Sequence, residues 1–329
     1  MGRRSRLDVQ VERFPIRGAF TISRGSKTEA EVITVRLSEG GVAGWAESVP
    51  YRRYGETPES VRARIEAVRP ALEAGCSRAD INRLLPPGAA RNAVDCALWD
   101  LEARQRGLPA WQLAGLREPR PVTTAYTLSL DTPAAMAEAA RRAPATEVLK
   151  LKLGGEEDLD RLRAVRKAAP EARFIIDANE GWNLPTLERL APLCAELGVV
   201  LIEQPLPAAE DHLLARGRYP VSICADESCH TAEDVDRLAE RYDAVNIKLD
   251  KTGGLTEAIR TLEHARRHDL EIMVGCMVGT SLAMAPALLL TPYAAFVDLD
   301  GPLLLMEDRT PSLCYQHGQI APAQPGLWG

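Results

Sequence analysis

Three acidic residues follow successive apolar runs in the middle of the chain, and this pattern constrains the fold more than any other feature. Asp177 follows the run 174–176, Glu203 follows the run 199–202, and Asp226 comes shortly after the run 221–224. Such runs are typical of strands that are buried on both faces of a parallel sheet. Because the carboxyl ends of parallel barrel strands converge on one mouth, the three carboxylates are expected to lie close together.

The same spacing continues through the second half of the chain. Successive strand candidates are roughly 22–28 residues apart, which is about the size of one strand–helix unit. Helix start signals at Thr132-Pro133 and at Thr231 fall between them. Eight such strands predict an α/β fold with a closed parallel barrel rather than an open sheet. The predicted strands end near Thr127, Lys152, Asp177, Glu203, Asp226, Lys248, Cys276 and Asp300.

The first third of the chain has a different pattern. Residues 6–48 read as strands, and the small and polar residues 23–27 between them predict a mobile loop. A helix is expected to begin at Thr57-Pro58 and to carry an apolar face as far as Leu72, a second helix covers 89–105, and a short third one lies near Trp111. A barrel alone needs about 250 residues, so the chain of 329 residues has room for a second domain. We predict an α+β capping domain over residues 1–118, a barrel over 119–302, and a tail over about 303–329 that returns to the capping domain.

Composition narrows the function classes. The chain is 46% hydrophobic and 26% charged, which is ordinary for a soluble globular protein. A net charge of −6 with both signs interspersed argues against a nucleic-acid partner. Seven cysteines without C-x-x-C pairs predict a reduced, cytoplasmic chain without a zinc site. Neither a secretory signal nor a membrane span is expected.

The acids and the neighbouring lysines suggest a chemistry. A lone aspartate at a strand end is more often a helix cap, but three in register offer the oxygen ligands that Mg²⁺ prefers. Lys150 and Lys152 share one face of their strand, and Lys248 ends a strand on the opposite side of an eight-stranded barrel. A lysine near a divalent cation is expected to have a lowered pKa and so to act as a base. A carbon held between the two sides could lose a proton to one lysine and gain one from the other, which inverts a stereocentre.

Two further groups of charges are candidates for substrate binding. Asp298 and Asp300 are two residues apart and share one face of the last strand, where they would attract an ammonium group; the alternative is a solvated strand end. Arg24, with Lys27 nearby, could reach over the mouth and bind a carboxylate; the alternative is an exposed loop arginine. Cys224 and Cys276 are expected to be small buried hydrophobes without a nucleophilic role.

At these residues the chain resembles the enolase superfamily, in its muconate-lactonizing subgroup, and within it the dipeptide epimerases. The resemblance rests on the Lys150-x-Lys152 pair, the three acids, Lys248, Ser23-Arg24-Gly25, and residues 298–302. It implies a (β/α)7β barrel, TIM-like, under an α+β capping domain. It also implies a role for each residue. Asp177, Glu203 and Asp226 would bind Mg²⁺, Lys152 and Lys248 would be the acid/base catalysts, and Lys150 would stabilise an enolate oxygen. Asp298 and Asp300 would bind the substrate ammonium, and Arg24 would bind a glutamate side chain. The pocket would be lined by Thr127, Cys276 and Val278.

The resemblance implies inversion of the C-terminal residue of L-Ala-L-Glu or L-Ala-D-Glu, by proton transfer between two lysines through an enolate, in murein peptide metabolism. The partner is then a small dipeptide, with a homo-oligomer left open. An o-succinylbenzoate synthase or a muconate cycloisomerase shares the lysines and acids, but its substrate has no ammonium group for Asp298 and Asp300. A barrel that has kept its fold without catalysis is a third alternative, because fold alone does not fix function.

Overall fold

A computed structural model describes residues 5–329, and its N-terminal part is built on an antiparallel sheet. The strands are β1 (Arg6–Ile22), β2 (Gly25–Glu39) and β3 (Val42–Ser48), with β2 in the centre. Ile33, Val35 and Leu37 alternate along β2 and are buried on the face that packs against helices. The predicted strands over residues 6–48 are therefore confirmed.

The hairpin between β1 and β2 differs from the loop predicted over residues 23–27. Only Ser23 and Arg24 lie outside the strands, and Lys27 pairs with Phe20 across the hairpin. Gly25 has a φ of 138°, which L side chains rarely adopt, so a tight turn is possible here. Backbone pairing thus carries Arg24 and Lys27 to the tip of a regular hairpin.

Five α-helices follow within the described residues, and the first, second and fourth of them pack on the sheet. Thr57 caps the first of them as predicted, but the helix expected to extend to Leu72 is interrupted at Val68, because Pro70 has no amide hydrogen to donate. The fourth helix, which contains Leu101, packs closely on β3. A Cβ atom added at Gly44 would lie 2.2 Å from the backbone nitrogen of Leu101. The helices are α1 (Pro58–Ala67), α2 (Arg69–Glu73), α3 (Arg78–Leu84), α4 (Ala89–Arg106) and α5 (Ala110–Leu113).

The second half of the chain forms the predicted barrel of eight parallel strands. After a short strand β4 (Val122–Thr123), the barrel strands are β5 (Tyr126–Leu128), β6 (Val148–Lys152), β7 (Arg173–Asp177), β8 (Val199–Glu203), β9 (Ser222–Ala225), β10 (Ala244–Ile247), β11 (Glu271–Gly275) and β12 (Phe296–Asp298). They neighbour one another in chain order. The two end strands meet where the backbone nitrogen of Ala125 donates to the carbonyl of Val297 at 2.9 Å. Each predicted strand end lies within two residues of the observed one.

Helices connect the barrel strands on the outside. The connection between β8 and β9 departs from the expected pattern, since it holds only a turn of 3₁₀ helix (Asp211–Leu213). No helix of residues 5–329 is long and apolar enough to cross a membrane. The outer helices are α6 (Pro133–Arg142), α7 (Asp158–Ala168), α8 (Leu184–Glu196), α9 (Ala232–Leu238), α10 (Leu249–Thr252), α11 (Leu255–Arg267) and α12 (Ser281–Ala287).

The C-terminal tail contacts both halves of the molecule. Its hairpin of β13 (Tyr315–Gln316) and β14 (Gln319–Ile320) pairs with β4. Further on, Trp45 Nε1 donates to the carbonyl of Leu327, and Trp328 Nε1 donates to the carbonyl of Cys96. These bonds tie the last residues to the N-terminal sheet and to α4. The domain boundaries at residues 118 and 302 stay predictions.

Candidate active site

The three predicted metal-ligating acids meet at the mouth of the barrel. Asp177 and Glu203 are the last residues of β7 and β8 and pair in register, and Asp226 follows β9 directly. All three side chains are buried. One ligand oxygen of each lies within 4.8 Å of the ligand oxygens of the other two. Three hard oxygen donors at this spacing fit Mg²⁺ or a similar cation.

The electrostatics of this acid cluster also fit a cation. Burial and the nearby Asp177 raise the pKa of Glu203 to about 7. Burial opposes ionisation of Asp177 as well, but Lys152 and Lys150 outweigh it and hold the pKa of Asp177 below its ordinary range. A bound divalent cation would offset the repulsion that Glu203 meets from Asp177. The residues present are thus suited to hold a metal.

Lys150 and Lys152 point to the barrel interior from β6, as their spacing predicts. Lys152 Nζ lies 2.6 Å from Asp177 Oδ2. Lys150 Nζ contacts three carboxylates, at 2.6 Å from Glu203 Oε2, 2.7 Å from Asp298 Oδ2 and 3.1 Å from Asp177 Oδ2. Burial would lower the pKa of Lys150, but the surrounding carboxylates, Asp298 first, raise it well above its ordinary value. Lys150 is therefore a permanent cation among acids.

Lys248 occupies the other side of the mouth. It follows β10, the sixth barrel strand, whereas Lys152 ends β6, the second, so the two lie half-way round an eight-stranded barrel from each other. Lys248 Nζ lies 2.6 Å from Asp226 Oδ2 and 3.7 Å from Glu203 Oε1. Burial lowers the pKa of Lys248, but Asp226 and Glu203 raise it well above the ordinary value. The lowering of the lysine pKa predicted from the sequence took only a bound cation into account and not these carboxylates.

Asp298 and Asp300 form the wall opposite the metal-ligating acids. Asp298 pairs with Lys150, and Asp300 Oδ2 accepts a hydrogen bond of 2.6 Å from the backbone nitrogen of Thr127. Burial and the neighbouring Asp298 raise the pKa of Asp300 to about 7. Asp298 Oδ1 has no hydrogen-bond partner among the described residues. This oxygen of Asp298 would be available to a donor group of a ligand.

A cavity of about 720 Å³ lies between the barrel mouth and the β1–β2 hairpin. This size suits a small ligand. Asp177 and Glu203 lie beneath it, bonded to the lysines. The other predicted site residues line it: Arg24, Thr127, Lys150, Lys152, Asp226, Lys248, Cys276, Val278, Asp298 and Asp300.

Arg24 docks the hairpin onto the barrel. Its two terminal nitrogens donate to the carbonyl of Asn179 at 2.6 Å and to Glu227 Oε1 at 2.7 Å, and they reach Glu180 and Tyr51 as well. Its guanidinium is therefore held among protein acceptors although the residue is exposed. A role of Arg24 in binding a substrate carboxylate stays a prediction.

Several residues that support the site were not predicted. Lys251 Nζ lies 2.6 Å from Asp226 Oδ1 and also donates to two backbone carbonyls, and Asn246 donates to Glu203 Oε1 at 2.7 Å. Gln204 accepts from the backbone nitrogens of Asp226 and Ser228. The two-residue spacing of Asn246 and Lys248 could have indicated Asn246. The roles of Lys251 and Gln204 depend on contacts between different strand ends, which leave no local signal.

Comparisons with known proteins extend over the whole described chain. Residues 6–115 match the N-terminal domain of the mandelate racemase/muconate lactonizing enzyme family, and residues 134–327 match the enolase C-terminal domain-like family. An L-Ala-D/L-Glu epimerase of Escherichia coli is 46% identical over 316 residues, which are 95% of this chain and 98% of the relative. An N-acetyl-D-glutamate racemase of a Pseudoalteromonas species is 45% identical over 300 residues, 91% of this chain and 95% of the relative.

Solved structures share the fold. An enolase family member from Agrobacterium tumefaciens with homology to dipeptide epimerases, with bound sodium and L-Ala-L-Glu, superposes with a TM-score of 0.96. It is 54% identical and covers 99% of this chain and 100% of its own. A dipeptide epimerase from Enterococcus faecalis, complexed with Mg and L-Leu-L-Tyr, has a TM-score of 0.91 at 26% identity, with 98% of each chain covered.

Proposed function

Since this chain belongs to the mandelate racemase/muconate lactonizing enzyme family, we propose that it is a magnesium-dependent dipeptide epimerase acting on the C-terminal residue of L-Ala-L-Glu and L-Ala-D-Glu. Its relatives are epimerases and racemases, and the chain is accordingly an isomerase of amino-acid derivatives. The observation that carries the finer proposal is the pair of buried lysines, Lys152 and Lys248, on opposite sides of one cavity.

The two lysines would transfer the α-proton of the substrate. In one direction Lys152, as a neutral amine, takes the proton from one face of the α-carbon, and Lys248, as an ammonium, gives a proton to the other face. The reverse reaction exchanges their roles. Asp177 and Asp226 each hold one of these amines at 2.6 Å, which fixes the direction from which each lysine approaches.

Asp177, Glu203 and Asp226 would hold the metal, and Lys150 would add a fixed positive charge beside them. When bound, Mg²⁺ neutralises negative charge on the substrate carboxylate and so makes the α-proton more acidic. The permanent charge of Lys150 acts in the same direction, because its ammonium already lies among the acids and needs no reorganisation during the reaction. Lys251 and Asn246 would keep Asp226 and Glu203 in place.

The remaining predicted residues would bind the rest of the dipeptide. Asp298 and Asp300 would receive the ammonium group of the N-terminal residue, and Thr127 orients Asp300 through its backbone nitrogen. Cys276 and Val278 would shape the wall between the ends of the ligand. Arg24 and Lys27 line the side of the cavity under the hairpin, where an acidic side chain of the substrate would lie.

A second candidate function is racemisation of an N-acylated glutamate. The observation that favours it is the Pseudoalteromonas relative, which acts on N-acetyl-D-glutamate and is almost as similar as the Escherichia coli epimerase. The raised pKa of Asp300, about 7, supports it as well, because a protonated carboxyl can donate to an acyl carbonyl instead of binding an ammonium. Murein peptide turnover and a cytoplasmic location follow from the first candidate only as predictions.

Proton NMR in D₂O with Mg²⁺ separates the two candidates. We expect loss of the glutamate α-proton signal of L-Ala-L-Glu together with the appearance of L-Ala-D-Glu. The same experiment on N-acetyl-L-glutamate should show much slower exchange. Faster exchange of N-acetyl-L-glutamate would favour the racemase, and exchange of neither compound by the Mg²⁺-bound protein would contradict both.

A further inference from the structure

The β1–β2 hairpin brings two cations to the cavity, and their surroundings differ. The side chain of Arg24 is 26% exposed and pairs with two carboxylates, those of Glu227 and Glu180. Burial alone would lower the pKa of Arg24, but Glu227 and Tyr51 raise it above its ordinary value. Most of the charge of Arg24 is therefore already balanced by the protein, and its hydrogen bonds to the barrel fasten the hairpin.

Lys27 has no such partners. It is half-buried, it lines the cavity, and within residues 5–329 it forms no salt bridge. Glu29 and Glu31, which share its strand and also line the cavity, pair with Arg13 at 3.8 and 3.0 Å and not with Lys27. Burial and the charge of Lys152 lower the pKa of Lys27 to about 8, and the opposing effect of Asp250 is too small to offset them.

The position of Lys27 is close to the proposed reaction centre. Its Nζ lies 5.7 Å from the centroid of the Phe20 ring, and Lys152 Nζ lies 5.6 Å from the same centroid. A glutamate carboxyl carbon is three bonds of about 1.5 Å each from its α-carbon. Both ammonium groups thus border the Phe20 ring in one cavity, and an acidic side chain on an α-carbon held beside Lys152 could bridge part of the distance to Lys27.

We propose that Lys27 determines specificity for an acidic C-terminal residue by pairing with its side-chain carboxylate, whereas Arg24 acts as a positioning residue that fastens the hairpin. The inference rests on the proposed epimerase function and deepens it. The chemical basis is that Lys27 brings the uncompensated charge of the hairpin into the cavity, and an anionic ligand group supplies the missing partner.

The test compares L-Ala-L-Glu with its isosteric neutral analogue L-Ala-L-Gln, using kcat/KM for α-proton exchange. Lys27→Gln should lower kcat/KM for the acidic dipeptide about 100-fold, which is the effect expected when one partner of a buried charge pair is removed. It should leave kcat/KM for the neutral dipeptide nearly unchanged. Lys27→Arg, which keeps the charge, should restore most of the preference. Arg24→Gln should lower both values by similar factors, because a loosened hairpin affects every substrate.

Arg52 provides the matched control. It also lines the cavity and forms no salt bridge within residues 5–329, but it lies exposed at the rim. Arg52→Gln should leave the ratio of the two substrates nearly unchanged, since exposed charges are screened. A loss of preference as large as that of Lys27→Gln would show a general field effect and overturn the assignment.

The remaining outcomes separate this inference from the proposed function. If the wild-type protein turns over both dipeptides and Lys27→Gln lowers both equally, Lys27 acts through Lys152 and the specificity role is wrong. If the wild-type protein prefers the neutral dipeptide, the acidic subsite is wrong while epimerase activity stands. If it exchanges neither dipeptide, the proposed function fails, and the role of Lys27 fails with it.

Discussion

The two ends of the barrel interior are built on the same strands but have opposite chemistry. On β8, Leu201 lies in an apolar layer and Glu203 lies at the charged mouth, and on β7 the corresponding residues are Ile175 and Asp177. A step of two residues, about 7 Å along a strand, is enough for this change. The apolar layer consists of Ala125, Val148, Ile175, Leu201, Cys224, Ala244 and Met273.

The difference separates stability from chemistry. Apolar side chains of the inner layer gain free energy by leaving water. At the mouth, buried acids and lysines cost desolvation free energy that their mutual attraction only partly returns. A buried cluster of charged groups such as this mouth is typical of a functional site, where the charges act on a ligand. Substitutions in the inner layer should therefore change unfolding, and substitutions at the mouth should change turnover and metal binding.

The largest effect is expected for the two lysines at the mouth. Lys152→Met and Lys248→Met should each lower the rate of epimerisation about 1,000-fold, because each removes one proton-transfer group. Each variant should still exchange the α-proton of the one stereoisomer that faces the remaining lysine. Proton NMR in D₂O on both stereoisomers measures the two rates separately.

Lys167→Met is the control for these variants, because Lys167 is exposed on α7. It should have wild-type activity, and all three variants should show cooperative thermal unfolding by circular dichroism. Full epimerisation by either mouth variant would contradict the two-base mechanism. Loss of folding in both would contradict the division between the two ends of the barrel.

The reverse behaviour is expected for Met273 in the inner layer. It is fully buried on β11, and Met273→Ala should lower the free energy of unfolding by about 3 kcal/mol through lost burial and a residual cavity. Urea denaturation measures this loss. Met273→Leu, which conserves volume, should cost less than about 1.5 kcal/mol. Well below its melting temperature, the alanine variant should keep nearly wild-type kcat. A large loss of kcat would contradict the division between a stabilising inner layer and a reactive mouth.

Glu203 tests whether the mouth holds a metal. Glu203→Gln keeps the shape and the acceptor for Asn246 but removes a charge, and we expect the Kd for Mg²⁺ to rise about 100-fold. Titration calorimetry of the metal alone gives the Kd without any substrate. Mg²⁺ should also raise the melting temperature of the wild-type protein and not of the variant. Glu196→Gln, at an exposed position on α8, should bind Mg²⁺ like the wild-type protein.

Much of this contrast could be predicted from the sequence. The apolar runs and the acids at their ends predicted the barrel strands closely, because a strand buried on both faces leaves a continuous apolar signal. The lysine and aspartate pairs were placed on shared faces by their two-residue spacing alone. These are local patterns, and the structure follows them.

The parts that were missed depend on distant contacts. The regular hairpin over residues 23–27 was predicted as a loop, because its polar composition hides the pairing of Lys27 with Phe20. Lys251 was missed because only the tertiary structure brings its ammonium group, on α10, to Asp226 at the end of β9. The carboxylates of Asp226 and Glu203, from two other strand ends, converge on Lys248 and raise its pKa, which the sequence around Lys248 does not indicate. The lowering of a lysine pKa by a bound cation stays a prediction.

Asp250 sharpens the comparison further, because it is a buried acid beside the mouth that forms no salt bridge within residues 5–329. It accepts hydrogen bonds from the backbone nitrogen of Val49 and from Asn92, and burial raises its pKa to about 7. In the unfolded chain its pKa is about 3.9. Between these two values the unfolded state loses the proton while the folded state keeps it, so rising pH lowers stability up to about pH 7 and not beyond.

Asp250→Asn keeps the acceptor oxygen and removes this titration. Relative to the wild-type protein, the variant should therefore gain stability from pH 5.5 to pH 8, by about 2 kcal/mol. Urea denaturation of both proteins at the two pH values gives the difference, and titrations elsewhere cancel in it. A stability difference that is the same at both pH values would show that Asp250 is ionised throughout. In that case the mouth would tolerate an unpaired buried charge, and the paired arrangement of its acids and lysines would need another explanation than desolvation.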